Sequence, residues 1–217
     1  MPHIGEQSMA VKRNLDLRNK PVQERAQKQI HKILSTTAQL LDQVGQDDLT
    51  TILVAKHAGI SVGTLYHYFP NKYAIMYTLA EQWVDEMQRA IEELEAEAIE
   101  KQSIKIFVEF SIQRIMKVYL NQKGLLPLVQ AMYGVPELQS LDNKHDEIVI
   151  KGMARMFARL GISDDEDELL RLGQAYLEVS HALLLVIVDK SEIADNKTLA
   201  DLKFLIFSLL ERAKGQF

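Results

Sequence analysis

Apolar side chains recur every three or four positions along most of the 217 residues, the spacing that gives a helix one apolar face. Over 21–44, Ile30, Ile33, Leu34, Ala38, Leu41 and Val44 form such a face, and Gly45 ends it. Thr50 is placed to cap a second helix that buries Leu53, Val54 and Ala58, and a short third helix is predicted over 62–69. A long fourth helix starts near Asn71 and runs to about 96–100, carrying the stripe Ile75, Leu79, Trp83, Met87, Ala90, Ile91 and Leu94. Further helices are predicted near 103–121, 124–133, 136–160, 164–189 and 196–214, separated at Ser103, Gly124, Gly134-Val135-Pro136 and Gly161-Ile162-Ser163. No strand-like alternation, internal repeat or low-complexity segment interrupts them. The pattern predicts an all-α fold of about nine helices.

The stretch from Ala58 to Lys72 departs from plain amphipathic periodicity. Gly59 suits a left-handed helix end, and Ser61 is a preferred N-cap for the short third helix. Leu65 and Phe69 point inward together, while Pro70 closes the element. That leaves Gly63, Thr64, Tyr66, His67 and Tyr68 on other faces, with Lys72 just behind. Core packing alone is a poor reason for such a set. A recognition helix in the DNA major groove is a better one.

The pattern Thr50-x-x-x-Val54-Ala55-x-x-Ala58-Gly59-Ile60-Ser61-x-Gly63-Thr64-Leu65-Tyr66-x-Tyr68-Phe69-x-x-Lys72 resembles the DNA-binding signature of the TetR family of one-component transcriptional repressors. The resemblance runs from about Arg25 to Ile75. It implies a three-helix helix-turn-helix domain over 21–72; residues 1–20 before it have few apolar positions in any period and are expected to form a flexible basic arm. A C-terminal ligand-binding and dimerisation domain over 73–217 comes next, with helix 4 connecting the two. By the same resemblance Val62, Gly63, Thr64, Tyr66 and His67 meet base edges, and Thr51, Tyr68 and Lys72 meet phosphates. Two positions depart from the family pattern. Ile52 stands where some relatives carry a base-reading Arg or Lys, and Gln46 follows Gly45 where an aromatic residue is usual.

Charge sharpens this picture. The net charge is −5, yet residues 1–72 carry +3 and the remainder −8. A basic front and an acidic rear orient a molecule on a polyanion. The chain has no cysteine, which fits a reducing cytoplasm. Its N-terminus lacks the apolar core of a signal peptide. The longest apolar run, Ala182 to Val188, falls short of the roughly 20 residues a bilayer span needs, so a cytoplasmic protein with no membrane partner is expected.

The eighth helix is apolar all round between Val179 and Val188, and such a helix needs cover on every side. A second copy of the chain supplies it. Gly173, Leu177, Ser180, Leu184 and Ile187 are expected at the homodimer seam, facing Leu202, Leu205 and Leu209 of the last helix. Trp83, Met87, Phe107, Phe110, Met132, Met153, Phe157 and Tyr176 are expected to line an effector pocket, although any helical core also uses such residues.

Two acid–histidine pairs, Glu178-x-x-His181 and Asp142-x-x-His145, have the spacing of di-iron bundle ligands. Such a centre requires a second Glu-x-x-His and two more inward carboxylates, and Glu109 is the one obvious candidate. No metal or other cofactor is expected. No Ser/His/Asp set or phosphate-cradling glycine loop suggests an enzyme. The reading is therefore a homodimeric, ligand-responsive DNA-binding regulator: a repressor released from a near-palindromic operator by a small apolar effector. Its rival is a helical-bundle protein that binds a metal or small molecule without DNA. Salt-dependent binding to duplex DNA separates them.

Overall fold

The computed structural model describes residues 14–15, 24–189 and 192–215, the last stretch without the side chains of 192–195. Among these residues nine helices and no strand occur. They are α1 (Glu24–Asp48), α2 (Thr51–His57), α3 (Val62–Tyr68), α4 (Lys72–Glu95), α5 (Ile104–Asn121), α6 (Leu125–Gly134), α7 (Gln139–Arg159), α8 (Glu166–Asp189) and α9 (Glu192–Ala213). The basic arm expected over 1–20 lies outside the described residues, apart from Asn14 and Leu15.

Short polar side chains start α2, α3 and α4. Thr50, Ser61 and Asn71 each accept a hydrogen bond from the amide three residues on, at 3.1, 2.9 and 2.9 Å. Each such cap contributes about 1 kcal/mol. Gly59, at φ 61°, closes α2, and Ile60 N–H bonds back to the Ala55 carbonyl. Leu65 and Phe69 are fully buried with Val54, Ala55 and Leu49. Gly45 breaks the regular path of α1 at φ 71°, and the chain resumes a short turn to Asp48. Leu49 beyond that kink is thereby carried into the core.

Helix α4 belongs to both halves. It packs against α1 at one end and against α5, α6 and α7 along its length. Its far end is held by Arg159 of α7, which donates to the Glu97 carbonyl at 2.7 Å and to the Glu95 carbonyl. Arg155 pairs with the Glu95 carboxylate at 2.6 Å. A second junction lies at α6. A Cβ on Gly124 would stand 2.5 Å from the Ala38 carbonyl oxygen of α1, so only glycine lets α6 begin there.

Gly173 plays a similar part between α7 and α8: a Cβ there would meet the Ile150 carbonyl oxygen at 2.5 Å. This corrects the expectation that Gly173 faces a second chain. Its missing side chain already serves the contact with α7. Leu177, Ser180, Leu184, Ile187 and Leu202 are likewise buried within one protomer. Helix α7 starts three residues later than the pattern predicts, because a tight turn (Leu138 N–H to Val135 C=O, 2.9 Å) surrounds Pro136. Helix α9 begins at Glu192, four residues early. Among the described residues α8 alone is long and apolar enough to cross a bilayer. Here it packs against α5, α7 and α9, with three carboxylates in its first turn.

Candidate nucleic-acid interface and the C-terminal domain

Burial of Leu65 and Phe69 turns the other faces of α3 outward. Tyr66 is 39% exposed, and its hydroxyl shares a 3.0 Å hydrogen bond with Thr51 Oγ1 at the start of α2. The tyrosine expected at the bases and the threonine expected at phosphate thus stand side by side. His67 and Gly63 are exposed, and Val62, Thr64 and Tyr68 are half-buried. The His67 and Tyr68 rings meet edge to face, with centroids 5.0 Å apart. Thr64 Oγ1 lies 2.8 Å from Ser61 Oγ, so that hydroxyl is shared with the cap and its methyl is the free end for a base. Ile52 is 66% exposed on the neighbouring helix.

Gly63 is informative by what does not surround it. A Cβ there would meet only Ser61 Oγ, at an ordinary 3.7 Å. Glycine inside a helix costs about 1 kcal/mol relative to alanine, and no contact among the described residues requires it here.

Lys72 holds a post the sequence does not foretell. Its Nζ donates to the Gln46 carbonyl at 2.9 Å and to the Asp47 carbonyl at 3.3 Å, and it lies 5.6 Å from the Tyr73 ring centroid. The ammonium joins the start of α4 to the end of α1 and uses two of its three protons to do so.

Residues 33–77 match the family model for bacterial regulatory proteins of the tetR family, and residues 103–210 match that for the tetracyclin repressor-like C-terminal domain. The chain belongs to the TetR family. Among curated TetR-type relatives, the HTH-type transcriptional regulator BetI of Stenotrophomonas maltophilia is 25% identical over 130 residues, 59% of this chain and 66% of the relative. EthR of Mycobacterium tuberculosis is 39% identical over 62 residues, 29% of each chain. The chain thus spans just under two thirds of the length of the BetI relatives. Solved structures share the fold. GusR of Salmonella enterica superposes with a TM-score of 0.67 at 16% identity, over 90% of this chain and 100% of that one. PfmR, a TetR-family regulator of Thermus thermophilus, gives 0.61 at 21% identity over 81% and 97%.

In the TetR-type C-terminal domain all but one of the expected pocket residues lie in the interior. Trp83, Met87, Phe107, Met132, Met153, Phe157 and Tyr176 are buried. Phe157 meets Phe107 and Tyr176 with ring centroids 6.0 Å away in each case. Phe110 does not join them: it is 39% exposed on the outer face of α5.

A polar cluster beside that core is not legible from the sequence. The His181 ring is hydrogen-bonded on both sides, by Tyr119 at 2.6 Å and Tyr133 at 3.3 Å. The buried His145 ring stacks on Trp83 with centroids 4.7 Å apart, and its Nδ1 lies 3.1 Å from Asp146. Among the described residues, no three His, Asp or Glu side chains are grouped to hold a metal ion.

Burial, and then the neighbouring His145, lowers the His181 pKa from 6.5 to about 4. The unfolded chain takes up this proton near 6.5 and the folded chain only near 4. Stability is therefore fully present above 6.5 and declines as pH falls through that window. Thermal melts between pH 7 and 4 are expected to show this decline, and His181→Gln to flatten its slope. An unchanged slope in the variant would assign the loss to other groups.

Proposed function

We propose that the chain is a homodimeric, ligand-responsive repressor acting on double-stranded DNA in the cytoplasm. The observation that carries the DNA-reading part is the outward face of α3: exposed Tyr66, His67 and a Gly63 that no contact among the described residues requires. Gly63 admits close approach of the duplex, while the Tyr66 ring, the Thr64 methyl and Ile52 offer apolar surfaces to thymine methyls. Thr51, Tyr68 and the remaining proton of Lys72 position the unit on phosphates. With no arginine in the set, recognition rests on methyl groups and groove shape.

Dimerisation is supported by the half-covered apolar positions Val179, Leu183 and Val186 on α8 and by exposed Leu205 on α9. A two-fold pair of readers calls for a near-palindromic operator with half-sites about 34–36 Å apart. An effector with an apolar body would act by preferring one shape of the dimer.

The test is duplex binding across a salt series. Wild-type affinity for its operator is expected to fall steeply and linearly on a log–log plot. Tyr66→Ala should cost about 1–3 kcal/mol on operator and little on random DNA. Gly63→Ala should hold or raise the melting temperature while weakening operator binding. Salt-insensitive binding, or equal losses on operator and random DNA, would overturn the assignment of α3.

A further inference from the structure

The cluster around His181 and His145 draws on five helices: Trp83 from α4, Tyr119 from α5, Tyr133 from α6, Asp142, His145 and Asp146 from α7, and Glu178 and His181 from α8. Its rings meet one another continuously. Trp83 contacts Tyr119 at 5.6 Å and His145 at 4.7 Å, and His181 contacts His145 at 5.5 Å, Tyr119 at 5.7 Å and Tyr133 at 6.4 Å, all between centroids. Two buried ring nitrogens in this assembly, Trp83 Nε1 and His145 Nε2, have no hydrogen-bond partner among the described residues. Buried polar atoms left so are exceptional and call for an explanation. Tyr133 is 55% exposed and Glu178 is exposed, so the cluster reaches the surface at their side.

We infer that this cluster is the effector site and that it takes a small organic cation, an ammonium group on an apolar body. The inference rests on the ligand-responsive reading above. Aromatic faces attract cations through their quadrupole, and more strongly once water is excluded. Three carboxylates, Asp142, Asp146 and Glu178, lie close enough to influence the Tyr133 hydroxyl. Around Asp142 the strongest charge is Asp146, which repels; His145 opposes it, and Glu178 adds a weaker repulsion. Burial and then Asp146 push the Asp142 pKa upward, a strain that a bound cation relieves. His181 stays uncharged at neutral pH, and the Tyr119 and Tyr133 phenols are pushed upward by burial, so all three remain neutral hosts. An anion would meet three like charges. An uncharged guest would gain nothing from the carboxylates' charge.

The site is wired to the reader at two points. Trp83 shares α4 with Lys72, and Tyr133 ends the helix whose start, beside Gly124, presses on α1.

Trp83 is the only tryptophan, so its fluorescence reports on the box directly. Full-length protein titrated with benzyltrimethylammonium, at constant ionic strength, should show saturable quenching. Benzyl alcohol and phenylacetate, its neutral and anionic counterparts, should bind at least tenfold more weakly. Asp142→Asn with Asp146→Asn should weaken the cation at least tenfold. Tyr133→Phe, which keeps the ring, should hold affinity within about twofold, while Tyr133→Ala should lose at least fivefold. Because Tyr133 is exposed, both of its variants are expected to fold, which a thermal melt checks. Absence of saturable quenching by the cation, equal affinity for the neutral probe, or indifference to both carboxylate and ring variants would overturn the inference. Operator binding, measured on the same samples without probe, tests the regulator reading separately: salt-dependent DNA binding with no cation response would remove the cation and leave the DNA reader standing.

Discussion

Leu205→Glu is expected to leave the protomer folded, split the homodimer, and lower operator affinity by at least about a hundredfold. Leu205 is 47% exposed in the single chain, so a charge there costs the protomer little. In the dimer the same side chain would be enclosed against a second apolar face. Asp201, one turn earlier, repels the new carboxylate, and enclosing a charge away from water costs several kcal/mol even with a cation such as Arg212 on the same surface. Each reader then binds its half-site alone, and the gain from linking the two is lost. Leu184→Glu makes an instructive contrast. Leu184 is fully buried within one protomer, so its replacement should unfold the bundle before any question of assembly arises. Sedimentation velocity at micromolar concentration, beside a thermal melt, distinguishes the two results. A wild-type chain that sediments as a monomer would end the dimer proposal, and a Leu205→Glu variant that stays dimeric would move the seam elsewhere.

Gly173→Val should have the largest effect on stability, roughly 3 kcal/mol or more. The added Cβ would lie 2.5 Å from the Ile150 carbonyl oxygen, 3.2 Å from its carbon and 3.3 Å from its Cα. All three are backbone atoms of a neighbouring helix, so no side-chain rotation relieves the clash, and α7 and α8 must part. Domains have about 5–15 kcal/mol of total stability, so this change removes a substantial share. Urea unfolding measures it. A loss under about 1 kcal/mol would mean that α8 can slide past α7 without penalty. The loss should not depend on protein concentration beyond the dependence already shown by the wild type, which separates intrachain packing from assembly.

Gly173 also marks where the legibility of the chain alone stops. Caps, turns and the inward pair Leu65–Phe69 are legible because they depend on residues within one or two turns of each other. The all-round apolar character of α8 correctly demands cover on every side. It carries no information on which side a helix of the same chain takes. Gly173, Leu177, Ser180, Leu184 and Ile187 therefore pass for a seam between chains in the sequence, while the half-covered Val179, Leu183 and Val186 give no sign of being the outer side. The Met and aromatic residues likewise signal a core without saying whether it is filled. The polar cluster is hidden for another reason. Its rings come from five helices, and the separations Tyr119–His181 and Tyr133–His181 are 62 and 48 residues. The available clue is the pair of acid–histidine spacings on α7 and α8, which put charge and ring on one face but name no partner.

The grip of Arg159 on the carbonyls of Glu95 and Glu97 has a mechanical corollary. It gives α4 a fulcrum. The helix has 24 residues and so is about 36 Å long, with Lys72 at the end remote from Arg159. Trp83 lies near its midpoint, about 18 Å from the fulcrum. A guest that shifts the indole sideways by about 1 Å therefore swings Lys72 by about 2 Å, a rotation of only about 3°. Hydrogen bonds weaken within a few tenths of an ångström beyond their usual 2.7–3.2 Å, so about 2 Å is ample to unseat a phosphate contact. On the effector reading proposed above, the same swing would strain the ammonium's hold on the Gln46 and Asp47 carbonyls, and the end of α1 would be the first part of the reader to receive the stroke.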